Sequence, residues 1–300
     1  MTLHSRKLRG LLGVMAMLAL FWIGLRFFAQ PAPDHPWFAA QPTDHQPLVM
    51  AHQGGEGQWP SNTMLAFENA AAAGADVLDA DMHMTRDGVL VLIHDETVDR
   101  TTNGSGAIRE MTLAELQQLD AGYAFTTDEG ASYPYRGQGL TIPTLESLFQ
   151  RFPDARFGIE IKQTDPQAAA IAFCALIRQY GMSDKVLVSS FRQANMDAFR
   201  ADCPEVATSA TEEEVRWFYL LFRAGLSDPR TPPYQSFQVP KYGGGFHILT
   251  PQFIAAAHRR NIAVQPWTIN ERNDLQRIIA MDVDAINTDF PDRLLELLGP

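Results

Sequence analysis

The sequence is poor in cysteine, in positive charge and in long apolar runs. Its two cysteines are Cys174 and Cys203. With no CxxC pair and no Cys/His cluster, a structural zinc site is excluded. The two are buried thiols or, if the chain is exported, a disulfide. Lys and Arg number 24 against 35 Asp and Glu, a formal net charge of −11. That deficit excludes general electrostatic capture of nucleic acid. It says little about a small substrate, because a bound cation inverts the local field. No internal repeat and no low-complexity tract is visible.

One long apolar run stands out, Leu11 to Leu25, behind the basic flank His4, Arg6, Lys7 and Arg9. With Arg26 snorkelling it is long enough to span a bilayer. Phe27 and Phe28 make a poor cleavage site before Ala29, so residues 1–29 are expected to form an uncleaved anchor. The basic flank would stay cytoplasmic and the remainder would lie on the outer side, a single-pass membrane protein. Secretion after signal-peptide cleavage is the rival. Residues 30–47, with five prolines, read as an extended linker. Residues 48–300 read as one domain.

From Pro47 onward, short β-type runs alternate with helical stretches, the pattern of a parallel sheet. Eight runs are visible: Leu48–His52, Val77–Met84, Phe157–Lys162, Val186–Phe191, Val206–Ala210, Ser236–Pro240, Ala263–Ile269 and Asp284–Asp289. Eight units favour a closed α/β (β/α)₈ TIM barrel over an open doubly wound sheet. Two segments break the alternation. After Met84, the Asp87-Gly88 pair signals a tight turn, and Val89 to Ile93 reads as a returning strand. That return delivers His94 and Asp95 back to the barrel rim. Residues 100–144 read as a small insertion over the mouth, with Thr112 and Glu115 as a capping box.

Asp79 and Asp81 lie two apart on a strand, so both side chains face one way, into the barrel near its mouth. Buried carboxylates on one face need a cation between them. Glu160 and Lys162 repeat the spacing on the next run. Glu160 completes an oxygen set suited to one divalent ion, Mg²⁺, Ca²⁺ or Mn²⁺, and Lys162 is placed to neutralise a phosphate oxygen. His52 and His94 end converging strands beside these carboxylates, as a general acid–base pair requires. His94 is also a candidate nitrogen ligand. Trp267, at the end of the seventh run, is placed to pack on a ligand's apolar part. His83 reads as structural.

Taken together these motifs resemble the glycerophosphodiester phosphodiesterase family, over nearly everything from Val49 to Leu298. They are His52-Gln53-Gly54, Asn62-Thr63, Asp79-Ala80-Asp81, Thr85 to Gly88, His94-Asp95, Arg100-Thr101-Thr102, Glu160-Ile161-Lys162, Ser190-Phe191, Trp267 to Asn270, and Thr288 to Pro291. The resemblance implies metal-dependent hydrolysis of glycerophosphodiesters, with His52 and His94 as acid and base, Asp79, Asp81 and Glu160 on the metal, and Lys162 on phosphate. Asn62-Thr63-Met64, Asp81 to Thr85 and the apolar stretch Trp217–Leu226 look like the membrane-associated lysophospholipase D branch, which implies lysophospholipids as further substrates. The stretch Val215 to Leu226 is apolar almost all the way round a helix, so it either packs beneath a neighbouring segment or offers Trp217 and Phe218 as an apolar lip for an acyl chain. Three positions depart from the family pattern. Gln53 replaces a phosphate-binding Arg, Ser61 replaces a Glu, and Asp79 replaces a Glu. They motivate a competing expectation, a catalytically impaired barrel that binds phospholipid head groups or a protein partner.

Overall fold

In the computed structural model, residues 28–39, 46–162 and 165–299 are described, with Gly13, Met17 and Gly24 besides. The run expected to cross a membrane lies almost wholly outside them. Among the described residues no helix is long and apolar enough to cross a membrane. This corrects the expected single-pass placement, which is not retained.

The eight expected strands form the barrel wall, all parallel. They are β1 (Leu48–Ala51), β2 (Val77–Met84), β4 (Arg156–Ile161), β5 (Val186–Ser189), β6 (Ala207–Thr208), β7 (Ser236–Pro240), β8 (Ala263–Trp267) and β9 (Ala285–Thr288), with β3 (Leu90–Leu92) the hairpin strand. One arc runs β9-β1-β2-β4-β5-β6 and the other pairs β7 with β8. Backbone bonds join the arcs on both sides. Ala210 N–H donates to Ser236 at 2.8 Å, and Ile269 N–H donates to Asn287 at 2.9 Å.

Each barrel strand leads into a helix, and five of these starts carry a side-chain cap. Thr63, Thr144, Thr211 and Thr250 cap four of them through side-chain oxygens, and Asp165 caps a fifth. Alternation then sorts the strand residues. Leu78, Ala80 and Met82 face the helices with Phe157, Ile159 and Phe67. Val77, Asp79, Asp81 and His83, the other set, point inward.

The hairpin forms as expected. β3 (Leu90–Leu92) runs antiparallel to β2, pairing Met82 with Leu92 and Met84 with Leu90. Asp87 accepts from the Thr85 hydroxyl at 2.6 Å, and Gly88 takes the positive φ of 82° that the turn needs. The insertion packs Ile108, Leu116 and Ile142 in a small core with Val91 of the hairpin strand and Val98, and Thr112 and Glu115 do form a capping box. Cys174 and Cys203 are joined as a disulfide between neighbouring helices.

The proline-rich stretch is not a free linker over its described part. The short helix Pro36–Ala39 brings Trp37 under the barrel, fully buried, with Leu48, Val77, Leu187, Ala207 and Ala285. Its indole N–H donates to the Phe157 carbonyl at 3.2 Å. Proline composition reports backbone extension and misses one apolar side chain that closes the barrel floor.

Candidate active site

At the opposite end, where the strands finish, lies a cavity of about 300 Å³. Its lining includes His52, Asp79, Asp81, His94, Glu160, Lys162 and Trp267. Seven residues singled out in the sequence thus meet in one place. Strand register does much of this work, because Asp81 pairs directly with Glu160. Lys162 Nζ lies 3.3 Å from Asp81 Oδ1 and 2.9 Å from Glu160 Oε2. Burial opposes the ammonium, but these two carboxylates outweigh it and raise the Lys162 pKa, so it stays charged.

Negative charge is crowded here. Burial, with Asp81 adding to it, lifts Asp79 to a pKa of about 7 against the pull of His52. Burial likewise lifts Glu160 to about 7, with Lys162 opposing. Among the described residues, the set of three His and carboxylate residues whose ligand atoms all lie within 4.8 Å of one another is a different one, His52, Glu56 and Asp289. Asp79, Asp81 and Glu160 stand wider apart, with Lys162 between the last two.

His94 is held from behind and in front. Its Nδ1 is 2.7 Å from Asp95 Oδ1, and Arg100 grips the other Asp95 oxygen at 2.7 Å. Burial would push Asp95 up, yet Arg100 and His94 together hold its pKa below the usual carboxylate range. Lys162 Nζ lies 3.1 Å from His94 Nε2. An ammonium can only donate, so Nε2 carries the lone pair and Nδ1 the proton. His83, buried, has its Nε2 3.1 Å from the His94 carbonyl and so has the structural role expected of it.

His52 faces the other side. Its Nδ1 lies 2.6 Å from Asp289 Oδ1, and Asn270 Nδ2 donates to Asp289 Oδ2 at 2.6 Å. Burial opposes the imidazolium, but the Asp289 bond and the charges of Asp79, Asp289 and Asp81 prevail and raise its pKa to about 9.

Gln53 stands apart from the expected substrate contact. It does not line the cavity and is buried behind His52, with a φ of 52° that costs a non-glycine residue about 1–2 kcal/mol. Asp81 N–H donates to Asn62 Oδ1, which fixes that amide; Asn62 Nδ2 then donates to Gln53 Oε1 at 3.2 Å. Gln53 therefore turns its own Nε2 toward His52 Nε2, at 3.3 Å. Such a donor suits neutral imidazole, whereas Asp289 favours the cation. The short, buried carboxylate contact is the stronger of the two, so the cation prevails.

The expected lip is corrected. Phe218 is a core residue, packed on Phe237 and Phe253. Trp217 and Leu220 are exposed but border a separate shallow groove with Arg230. Only Glu212 and Val215 of that helix reach the cavity. The cavity's apolar wall is built instead from Phe191, Val215, Val239, Pro240 and Trp267, with Phe191 edge-on to Trp267 at 5.6 Å. Asp95, Arg100, Asn270, Asn287 and Asp289 received no role from the sequence. All but Asn287 lie in motifs that were visible there.

Residues 52–293 match the family model described as the glycerophosphoryl diester phosphodiesterase family. A glycerophosphodiester phosphodiesterase of Caldanaerobacter subterraneus subsp. tengcongensis is 33% identical over 255 residues, 84% of this chain and 97% of that protein. The crystal structure of a glycerophosphodiester phosphodiesterase from Agrobacterium tumefaciens aligns with a TM-score of 0.68 at 27% identity, covering 83% of this chain and 98% of that one. A phosphodiesterase of Oleispira antarctica, solved with its product sn-glycerol-3-phosphate, shares the fold with a TM-score of 0.68 at 24% identity, covering 84% and 97%.

Proposed function

The chain belongs to the glycerophosphoryl diester phosphodiesterase family and is a phosphoric diester hydrolase acting on glycerophosphodiesters, and from that premise we propose that His94 is its general base, His52 its general acid, and Asp79, Asp81 and Glu160 the holders of a divalent cation. The observation that carries the division of labour is the 3.1 Å contact between Lys162 Nζ and His94 Nε2. It marks Nε2 as the lone-pair nitrogen of His94, freed to take a proton when Lys162 moves to the phosphate, while His52 is held as imidazolium by Asp289.

The residues fit a cation. Asp79, Asp81 and Glu160 gather around one lysine in a cavity that Glu212 also lines, and the raised Asp79 and Glu160 are short of a counter-charge. An all-oxygen donor set suits a hard ion, Mg²⁺, Ca²⁺ or Mn²⁺. Bound there, the ion would supply charge stabilisation at a phosphoryl oxygen. A second placement, on His52, Glu56 and Asp289, is favoured by their proximity. It would cost His52 its 2.6 Å bond to Asp289, so the carboxylate set is preferred.

His94 Nε2 takes the proton of the attacking hydroxyl, and Asp95, clamped by Arg100, stabilises the charge that results. Lys162 is close enough to leave its carboxylates for a phosphoryl oxygen. His52 Nε2 gives its proton to the departing alkoxide. Each proton transfer is worth ~10²–10⁴-fold. Binding alone needs no such pair, which sets the impaired-barrel reading aside. The apolar wall from Phe191 to Trp267 is suited to a substrate's apolar part, so lysophospholipids are proposed as additional substrates. A kcat/KM for them far below that of glycerophosphocholine, at sub-micellar concentration, removes that extension.

The acid role is tested with a leaving group that needs no proton. H52A should lose ~10²–10⁴-fold on glycerophosphocholine but far less on a p-nitrophenyl phosphodiester. H94A should lose on both. Equal losses by H52A on the two substrates would exclude His52 as the acid.

A further inference from the structure

We infer that Asn287 belongs to the cation site, holding Asp79 with one end of its amide and offering an oxygen with the other; this rests on the cation placement above. Asp79 occupies a fitted niche. Its Oδ1 lies over Gly158, where an added Cβ would come within 2.5 Å of it. Its Oδ2 accepts from Asn287 Nδ2 at 2.9 Å. A carboxylate accepts, so Nδ2 must face Asp79 and Oδ1 must point elsewhere.

That Oδ1 is buried and has no partner among the described residues. Asn287 is 8% exposed and lines the same cavity as Asp79, Asp81 and Glu160. A buried acceptor left unpaired is rare and calls for a ligand. The cationic donors of the cavity are already engaged: Lys162 with Asp81, Glu160 and His94, and His52 with Asp289. A neutral amide oxygen is a good ligand for a hard cation. It adds coordination without adding negative charge to a site that already crowds three carboxylates. It also answers the one-methylene shortening at position 79, since the carboxylate is fixed by a neighbour that brings an oxygen of its own.

A different occupant is conceivable on chemical grounds. Gln265 Nε2 is also buried and unpartnered, so a trapped water between the two amides would satisfy both. The experiment separates the two cases. Mn²⁺ binding to the metal-stripped full chain is measured by calorimetry and by electron paramagnetic resonance, with circular dichroism to confirm folding. N287A is expected to weaken Mn²⁺ binding ~10–100-fold. N287D, which keeps an oxygen, is expected to restore it and to show a larger Mn²⁺-induced rise in Tm than the unaltered protein. An unchanged Mn²⁺ dissociation constant in N287A overturns the inference in favour of the trapped water. N287D binding as weakly as N287A overturns the oxygen donation. No Mn²⁺ binding by the unaltered protein overturns the cation placement itself, and this inference with it.

Discussion

His52 Nδ1 lies 2.6 Å from Asp289 Oδ1, across 237 positions of sequence, so the end of the first barrel strand is locked to the end of the last. The contact orients the imidazole and sets its charge. D289N replaces an acceptor with an amide that can present N–H to Nδ1, favouring the wrong tautomer. We expect kcat on glycerophosphocholine to fall at least ~10²-fold with KM little changed, as the loss of one acid requires. Steady-state kinetics of folded D289N provide the check.

Chelation should silence the enzyme. Removing an ion that stabilises transition-state charge by several kcal/mol costs ~10²-fold or more in kcat. Activity should return with Mg²⁺, Ca²⁺ or Mn²⁺. Unchanged turnover in protein shown metal-free by elemental analysis would refute the dependence.

Trp37 is fully buried beneath the barrel and bonded to the Phe157 carbonyl. W37A should lower unfolding free energy by ~3–5 kcal/mol, the usual loss for truncating a buried Trp or Phe. Equilibrium denaturation reads it directly.

His258 offers a pH signature remote from the chemistry. Its Nε2 lies 2.9 Å from Asp284 Oδ2, and that bond, despite burial, raises its pKa above 6.5. A raised histidine pKa adds stability that is complete below about 6.5, the unfolded value, and fades as pH climbs through the folded value. H258Q should therefore lower Tm more at pH 6 than at pH 9. An equal drop at both would show that the bond is not ionic.

Much of this molecule could be read from its sequence, and the failures share a cause. The alternation of short β-type runs with helical stretches declared the eight barrel strands, whose apolar residues, such as Leu78, Ala80 and Met82, pack beneath the helices. The hairpin announced itself through Asp87-Gly88, and the carboxylates through their spacing of two. Asn287 was silent, because an amide at a strand end means nothing until its partner is known, and Asp79 is 208 positions away. Gln53 was misplaced for the converse reason. Its motif position suggested a ligand contact, while its backbone conformation turns the side chain into the protein toward Asn62. Trp37 was lost within proline-rich sequence.

The stopper at the floor has a bearing on traffic. Trp37 and its apolar neighbours seal the barrel below, so the catalytic chamber is a cul-de-sac with its doorway at the strand ends. Both fragments of a cleaved diester must leave through the entrance by which the substrate arrived. The fragment nearer the doorway is expected to leave first, and the one held at the proposed cation site last. The later fragment, the phosphate-bearing one, should compete with incoming substrate, whereas the released alcohol should hardly inhibit.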